Sequence, residues 1–295
     1  MPNVRFADRA LILVTGEDAE HFLQNILTID LSTLADDELR PGALLTPQGK
    51  ILFDFLVSRA PGGFRLDCRS DVAGDFGKRL SLYKLRAKVT IVVEDHALVG
   101  AAWGGDSGSS EPDSTASGSE STLRDARFPA DAGVRRTYGG AVVPETDADA
   151  WHALRVVHGI AESGADYALG DAFPHDVLLD QTGGVGFRKG CYVGQEVVSR
   201  MQHRGTARRR VLIASAGSPL PPSGTAVESG GRALGTLGTV SGAGALAIVR
   251  IDRVKDAMDA GQPITAGGVA LSLAIPAWAG FSFPEAASDS VAGDA

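Results

Sequence analysis

Lys189-Gly190-Cys191-Tyr192-Val193-Gly194-Gln195-Glu196 is the stretch from which the rest of the chain reads outward. Behind it come Val197, Val198 and Met201, which share one helical face with Val193. That spacing puts Cys191 near the start of a helix or in the turn before it. Unpaired N–H groups and the helix dipole would favour a thiolate there, and Arg188 and Lys189 add positive charge close by. Gly190 and Gly194 leave the backbone open to an approaching partner. The competing reading is a small buried hydrophobe, the commoner fate of a lone cysteine. Cys68, in a strand-like run, has no such surroundings and reads as structural.

Around this stretch, the chain mixes strands and helices without strict alternation. Ala10–Val14 reads as a strand. Ala19, Phe22, Leu23 and Ile26 have helical spacing behind a Thr15 or Asp18 cap. Pro41-Gly42 and Pro47-Gln48-Gly49 read as punctuation. Ile51–Ser58 predicts a strand with Ile51, Phe53, Phe55 and Val57 on one face, and Gly63–Cys68 its hairpin partner. A helix carrying Leu80, Tyr83 and Leu85 follows Asp71, then a β-branched strand at Val89–Val93. Trp151–Ala161 returns to helical spacing. Beyond Thr206, the short runs Val211–Ala214, Ala233–Val240, Ala245–Ile251 and Val269–Ile275 are split by Gly and Pro, as in a small β-barrel. The fold class is α+β.

Lys189–Glu196 resembles the Lys-Gly-Cys-aromatic-x-Gly-Gln-Glu signature of the YgfZ family, a branch of the glycine-cleavage T-protein superfamily. Leu44–Lys50, Tyr83–Val89, Arg200 and Arg204-Gly205 resemble the same family. The resemblance implies a three-part ring around a folate pocket. Residues 1–50 with 150–205 would form a split first part, 51–149 an inserted α+β part, and 206–280 the barrel. Composition places a disordered loop at 104–121, rich in Gly, Ser and acid, and a fraying tail at 281–295. The resemblance also implies a role in maturing or repairing iron–sulfur proteins, including an enzyme that methylthiolates transfer RNA, with Cys191 as the residue on which the role depends. The alternative it implies is a tetrahydrofolate-dependent aminomethyltransferase.

Tetrahydrofolate needs a flat apolar wall, partners for the pterin edge and cations for its glutamate tail. By the resemblance, Trp151 matches a tryptophan associated with folate, where stacking is a suitable reason; a helix-start tryptophan filling a domain seam is the bland alternative. The enzymatic relatives carry a glutamate at the position of Val157, which has no acceptor, leaving Asp176 and Asp180 as candidate carboxylates. They also carry paired aspartates where this chain reads Phe53-Asp54, so one acid remains for proton transfer. Arg188, Lys189, Arg200, Arg204, Arg208, Arg209 and Arg210 form a basic stretch that would suit a polyglutamate tail or an RNA phosphate. Its ordinary reading is a solvated helix end and strand start. Tyr192, Gln195 and Glu196 complete the expected binding set with the signature.

The whole-chain figures narrow the classes. The 295 residues carry 28 basic and 36 acidic side chains, a formal charge of -8, which argues against wholesale coating of nucleic acid. Two cysteines cannot complete a four-cysteine zinc site or hold an iron–sulfur cluster within one chain. Without a disulfide framework, a signal peptide or a span of ~20 apolar residues, the expectation is a cytoplasmic protein whose partners are folate and iron–sulfur client or assembly proteins.

Overall fold

A computed structural model describes residues 1–104, 121–139 and 148–284. Its strands are β1 (Asn3–Phe6), β2 (Arg9–Thr15), β3 (Glu38–Leu45), β4 (Ile51–Ala60), β5 (Gly63–Arg69), β6 (Thr90–Glu94), β7 (Val99–Ala102), β8 (Ser121–Asp125) and β9 (Arg135–Tyr138). They join in one nine-stranded sheet, ordered β1-β7-β9-β8-β3-β4-β5-β2-β6. Helices α1 (Ala19–Gln24) and α2 (Ser70–Lys84) cover it, and Phe22, Leu23, Phe53, Phe55, Phe64 and Phe76 fill the core between. A closed six-stranded barrel follows, made of β10 (Arg209–Ala216), β11 (Ala226–Ser229), β12 (Arg232–Ser241), β13 (Gly244–Arg250), β14 (Ile264–Ala266) and β15 (Val269–Ala274). Between sheet and barrel lie α3 (Ala148–His158) and α4 (Gln195–Arg204), and α5 (Ile251–Asp259) packs on the barrel. The α+β class and the C-terminal barrel expected from the sequence are present.

Several details differ from the sequence reading. Pro41-Gly42 lies inside β3 rather than breaking the chain. Strand β8 pairs with only Glu38 and Leu39 of β3, so at Pro41 the strand has β4 on one side alone. A proline there forfeits no ladder bond on the open side. Ile51 does not share a face with Phe53. The register runs Leu44↔Phe53 and then Leu45↔Ile51, so a bulge at Leu52 turns Ile51 into the second core with Leu45, Tyr167 and Val198. Helix α3 stops at His158, three residues early, because Gly159 takes φ +71° and a Cβ there would meet Pro276 at 2.5 Å. Of the loop expected at 104–121, all but its two end residues lie outside the described residues. So does the tail from 285 on, whereas Phe281 and Phe283 pack against the barrel core rather than fraying.

Two buried ionic clusters tie these pieces together. Asp67 on β5 accepts from Arg9 of β2 at 2.6 Å and from Arg136 and the Tyr138 hydroxyl of β9 at 2.7 and 3.0 Å, joining the two halves of the long sheet. Burial opposes its ionisation, but the two guanidinium groups outweigh it and hold the carboxyl below the ordinary range. The second cluster centres on Arg155 of α3. Its Nη1 donates to Asp166 at 2.7 Å and to the Ile160 carbonyl at 3.0 Å, and its Nη2 donates to Thr239 of β12 at 2.7 Å. Its Nε lies 3.1 Å from Glu162, close in charge though not aligned as a hydrogen bond. Arg155→Met would leave Asp166, fully buried, without its guanidinium. The expected loss is about 3–5 kcal/mol in urea unfolding, whereas Glu196→Ala, which breaks the exposed pair with Arg200, should cost about 0.5 kcal/mol or less.

Candidate functional site

The central cavity is lined by segments that lie far apart in the chain. Strand β3 supplies Pro41 and Gly42, and β4 supplies Asp54, Phe55 and Leu56. Arg127 follows β8, the loop after α3 brings Ile160, Glu162 and Tyr167, a second loop brings Leu178 and Leu179, and Trp278 arrives from beyond the barrel. Its water-accessible volume is about 40 Å³. Two features show how tightly this lining is held. Gly42 lies so close to Phe55 that a Cβ would sit 2.8 Å from the ring, and Leu178 holds a φ of +61°, an unfavourable backbone for leucine.

Asp54 is the one expected site residue that lines this cavity. The Ser163 hydroxyl donates to it at 2.7 Å and the Tyr167 hydroxyl at 2.9 Å, leaving lone pairs free for a ligand. Its neighbour Phe53 points to the other face and stacks on Phe76 at 4.9 Å. The second cavity carboxylate is Glu162, which the sequence reading did not single out. Burial opposes its ionisation, but Arg155 and Arg127 outweigh it and keep the carboxyl well below the usual range. The earlier candidates serve elsewhere. Asp180 is paired with buried Arg210 at 2.7 Å, and Asp176 accepts the Phe173 N–H at 3.0 Å. Val157 is 66 % exposed and outside the cavity lining.

The aromatic wall also differs from expectation. Trp151 is 2 % exposed, enclosed by Phe6, Trp103 and Phe128 with ring centroids at 5.2–5.8 Å, and forms no part of the central lining. It borders an adjoining cleft with Phe6, Arg9 and Glu162, the last two of which also line the central cavity. The tryptophan that faces the cavity is Trp278, whose Nε1 donates to the His158 carbonyl at 2.7 Å. Nothing local marked it, because it follows the last barrel strand in a segment without periodicity.

Cys191 is exposed, in the turn before α4 rather than on the helix, and Gly194 precedes the first helical residue, Gln195. The turn is fastened from three sides. Lys189 reaches inward, its ammonium donating to the Leu27 and Ile29 carbonyls, both at 2.7 Å, instead of staying free beside the thiol. Burial pulls that ammonium down to about 8, against the attraction of Asp30. Tyr192 is buried in the second core, and its N–H donates to Gln195 at 3.3 Å. Gly194 and Gly49 meet backbone to backbone: a Cβ on Gly194 would lie 2.5 Å from the Thr46 carbonyl and 3.1 Å from Gly49 Cα. Cys68, by contrast, is buried, and burial pushes its thiol up to about 12.

The basic stretch does not form one patch. Arg200 pairs with Glu196, Arg208 with Asp252, Arg209 with Asp171, and Arg210 is buried against Asp180. Only Arg188 and Arg204 are left with no ion pair or hydrogen bond among the described residues. None of Arg188, Lys189, Tyr192, Gln195, Glu196, Arg200 and Arg204 lines the central cavity. Among the described residues, no helix is long and apolar enough to cross a membrane.

Two substitutions probe this arrangement. Gly194→Ala, at φ +78° against the Thr46 carbonyl, is expected to lower stability by at least about 1–3 kcal/mol. Gly190→Ala, with nothing within 4 Å, should leave the urea midpoint unchanged. Burial raises the Asp176 carboxyl to about 6 from an ordinary 3.8. The folded state therefore favours the protonated form, and the stability this contributes fades as pH rises through 6. Asp176→Asn, whose amide oxygen can still accept the Phe173 N–H, should be the more stable protein above pH 6. In unfolding curves at stepped pH, its advantage should shrink toward pH 3.8.

Comparison with known proteins follows the same outline. Residues 208–281 match the family model described as the CAF17 C-terminal beta-barrel domain. The chain is 31 % identical over 303 residues to iron-sulfur cluster assembly factor IBA57, mitochondrial, of Mus musculus, covering 93 % of this chain and 84 % of that one. The Homo sapiens protein of the same name is 31 % identical over 301 residues with the same coverage. A homolog from Chaetomium globosum is 34 % identical over 236 residues, covering 70 % of this chain and 54 % of its own. Among solved structures, glycine cleavage system aminomethyltransferase T from Bartonella henselae superposes with a TM-score of 0.73 at 18 % identity, over 94 % of this chain and 85 % of that one, a likeness of fold. These relatives carry the IBA57 name rather than that of the YgfZ branch. The chain belongs to the family of the iron–sulfur cluster assembly factor IBA57 proteins.

Proposed function

We propose that this protein assists the maturation or repair of iron–sulfur proteins, transfer-RNA-modifying enzymes among them, and holds a reduced folate in its central cavity. The observation that carries the reading is Cys191, an exposed thiol on a turn held in place by Lys189, Tyr192 and Gly194. A single thiolate cannot hold a cluster alone, so it suits transient ligation shared with a client or assembly partner. The names of the relatives support the same direction. The reading keeps the YgfZ-like signature as the functional element and sets the protein in the cytoplasm, a compartment suited to two free cysteines; the relatives named above are mitochondrial.

The cavity lining is compatible with tetrahydrofolate. Phe55, Tyr167 and Trp278 offer flat apolar surface for its rings, Asp54 and Glu162 offer acceptors for the N–H groups of the pterin edge, and Arg9 and Arg127 add positive charge. Bound there, the folate would supply a one-carbon carrier. Asp54 would orient it and exchange a proton with its reacting end. That same placement of Asp54 favours the second reading, aminomethyl transfer.

Complementation of a strain lacking the gene separates the two. Cys191→Ala is expected to fold and to bind tetrahydrofolate, read as quenching of Trp278 fluorescence that Trp278→Phe removes, yet to leave client iron–sulfur enzymes inactive. Asp54→Asn should sustain them. Full complementation by Cys191→Ala would remove the thiol from the function, and failure of Asp54→Asn alone would favour transfer chemistry.

A further inference from the structure

Helix α2 ends in a turn that its own sequence does not favour. The Ala87 N–H bonds to the Lys84 carbonyl at 2.8 Å, closing a turn over Lys84–Ala87. Leu85, its first central residue, has φ +46° and ψ −105°, the backbone of that position in a type II′ turn. Glycine dominates there because a side chain is strained. The geometry is imposed from both ends. Helix α2 is packed through Ala73, Phe76 and Leu80, and Lys88 is held by its N–H to the Asp18 carboxylate at 2.7 Å. Leu85 has no compensating role in the fold, because it is 89 % exposed. Leu82, three residues earlier on the outer face of the helix, is 70 % exposed.

The segment that carries these two leucines is rich in cations. Lys78 and Lys88 pair with Asp75 and Glu17. Arg79, Lys84 and Arg86 have no carboxylate partner among the described residues. In a chain of net charge -8, this corner is locally positive around an apolar knob. Strained, exposed and without packing value, Leu85 is placed for contact with something outside the chain.

We propose that Leu82 and Leu85, framed by Arg79, Lys84 and Arg86, dock an acidic protein surface that offers an apolar recess. The charge selects an acidic partner and the leucines fix its position. A protein fits better than a membrane, because the other apolar face of α2 is already buried and two leucines offer too little apolar area for insertion. The inference is independent of the folate and thiol reading, since neither the cavity nor Cys191 enters it.

The test uses the full chain and its Leu85→Gly and Arg86→Glu variants, with a displayed library of random peptides as the probe. Leu85→Gly should unfold at a urea midpoint no lower than the parent's, since glycine takes the turn without strain. Peptides enriched on the parent and depleted on both variants should combine several Asp or Glu residues with a large apolar side chain. A synthetic winner should bind each variant about tenfold or more weakly, and its affinity for the parent should fall with added salt. A lower midpoint for Leu85→Gly would make the leucine structural and overturn the proposal. So would enrichment that ignores the substitutions, or winners without acidic residues. Binding to phosphatidylserine vesicles that is lost in both variants would overturn the choice of a protein partner.

Discussion

Arg155 is the side chain on which the arrangement of the parts depends. It is fully buried, and its guanidinium reaches the loop after α3 through Ile160, Glu162 and Asp166 and the barrel through Thr239. Asp166 extends the tie, accepting the Thr239 and Glu162 N–H groups at 2.6 and 2.7 Å. Glu162 in turn meets Arg127, which is held by Asp125 at the end of β8. A buried ionic cluster of this kind is a poor source of net stability, because desolvation offsets the attraction. What it fixes is geometry, since one guanidinium holds the loop after α3 and strand β12 to the same helix. The central cavity lies against it, with Glu162 and Arg127 belonging to both.

A second constraint acts through the absence of side chains. Gly49 and Gly194 touch, so the turn after β3 and the turn carrying Cys191 nest at a distance only glycine permits. Lys189 fastens the same turn to the chain before β3 through two carbonyls. The thiol is thereby exposed without its support being loose. The electrostatics follow from packing too. Of the basic side chains between 188 and 210, most are spent on nearby carboxylates or carbonyls, so positive charge that looks continuous along the chain is divided among several faces.

Much of the fold was legible because it rests on local periodicity. The strands at Ala10–Val14 and Ile51–Ser58, the helices α1 to α4 and the barrel runs all carry apolar residues at the spacing their structure requires. The failures share a cause. Strand β3 was missed because whether a proline is tolerated depends on how far the neighbouring strand extends. Ile51 was assigned to the wrong face because one bulge residue reverses the alternation. Strands as short as β11 and β14 hold too few residues to show a period.

The site divides along the same line. By itself, the sequence determined that Cys191 lies at the start of a helix or in the turn before it, that Cys68 lies in a strand, and that Asp54 lies on a strand opposite an apolar face. Each follows from neighbours within a few residues, where spacing and residue type dictate backbone and direction. Only the tertiary structure decided that Trp278 rather than Trp151 faces the cavity, that Glu162 rather than Asp176 or Asp180 supplies the second carboxylate, and that Lys189 turns inward. Those outcomes depend on which distant segments meet. Trp278 is anchored by a carbonyl 120 residues away and Lys189 by carbonyls 160 and 162 residues away, so no local pattern encodes them.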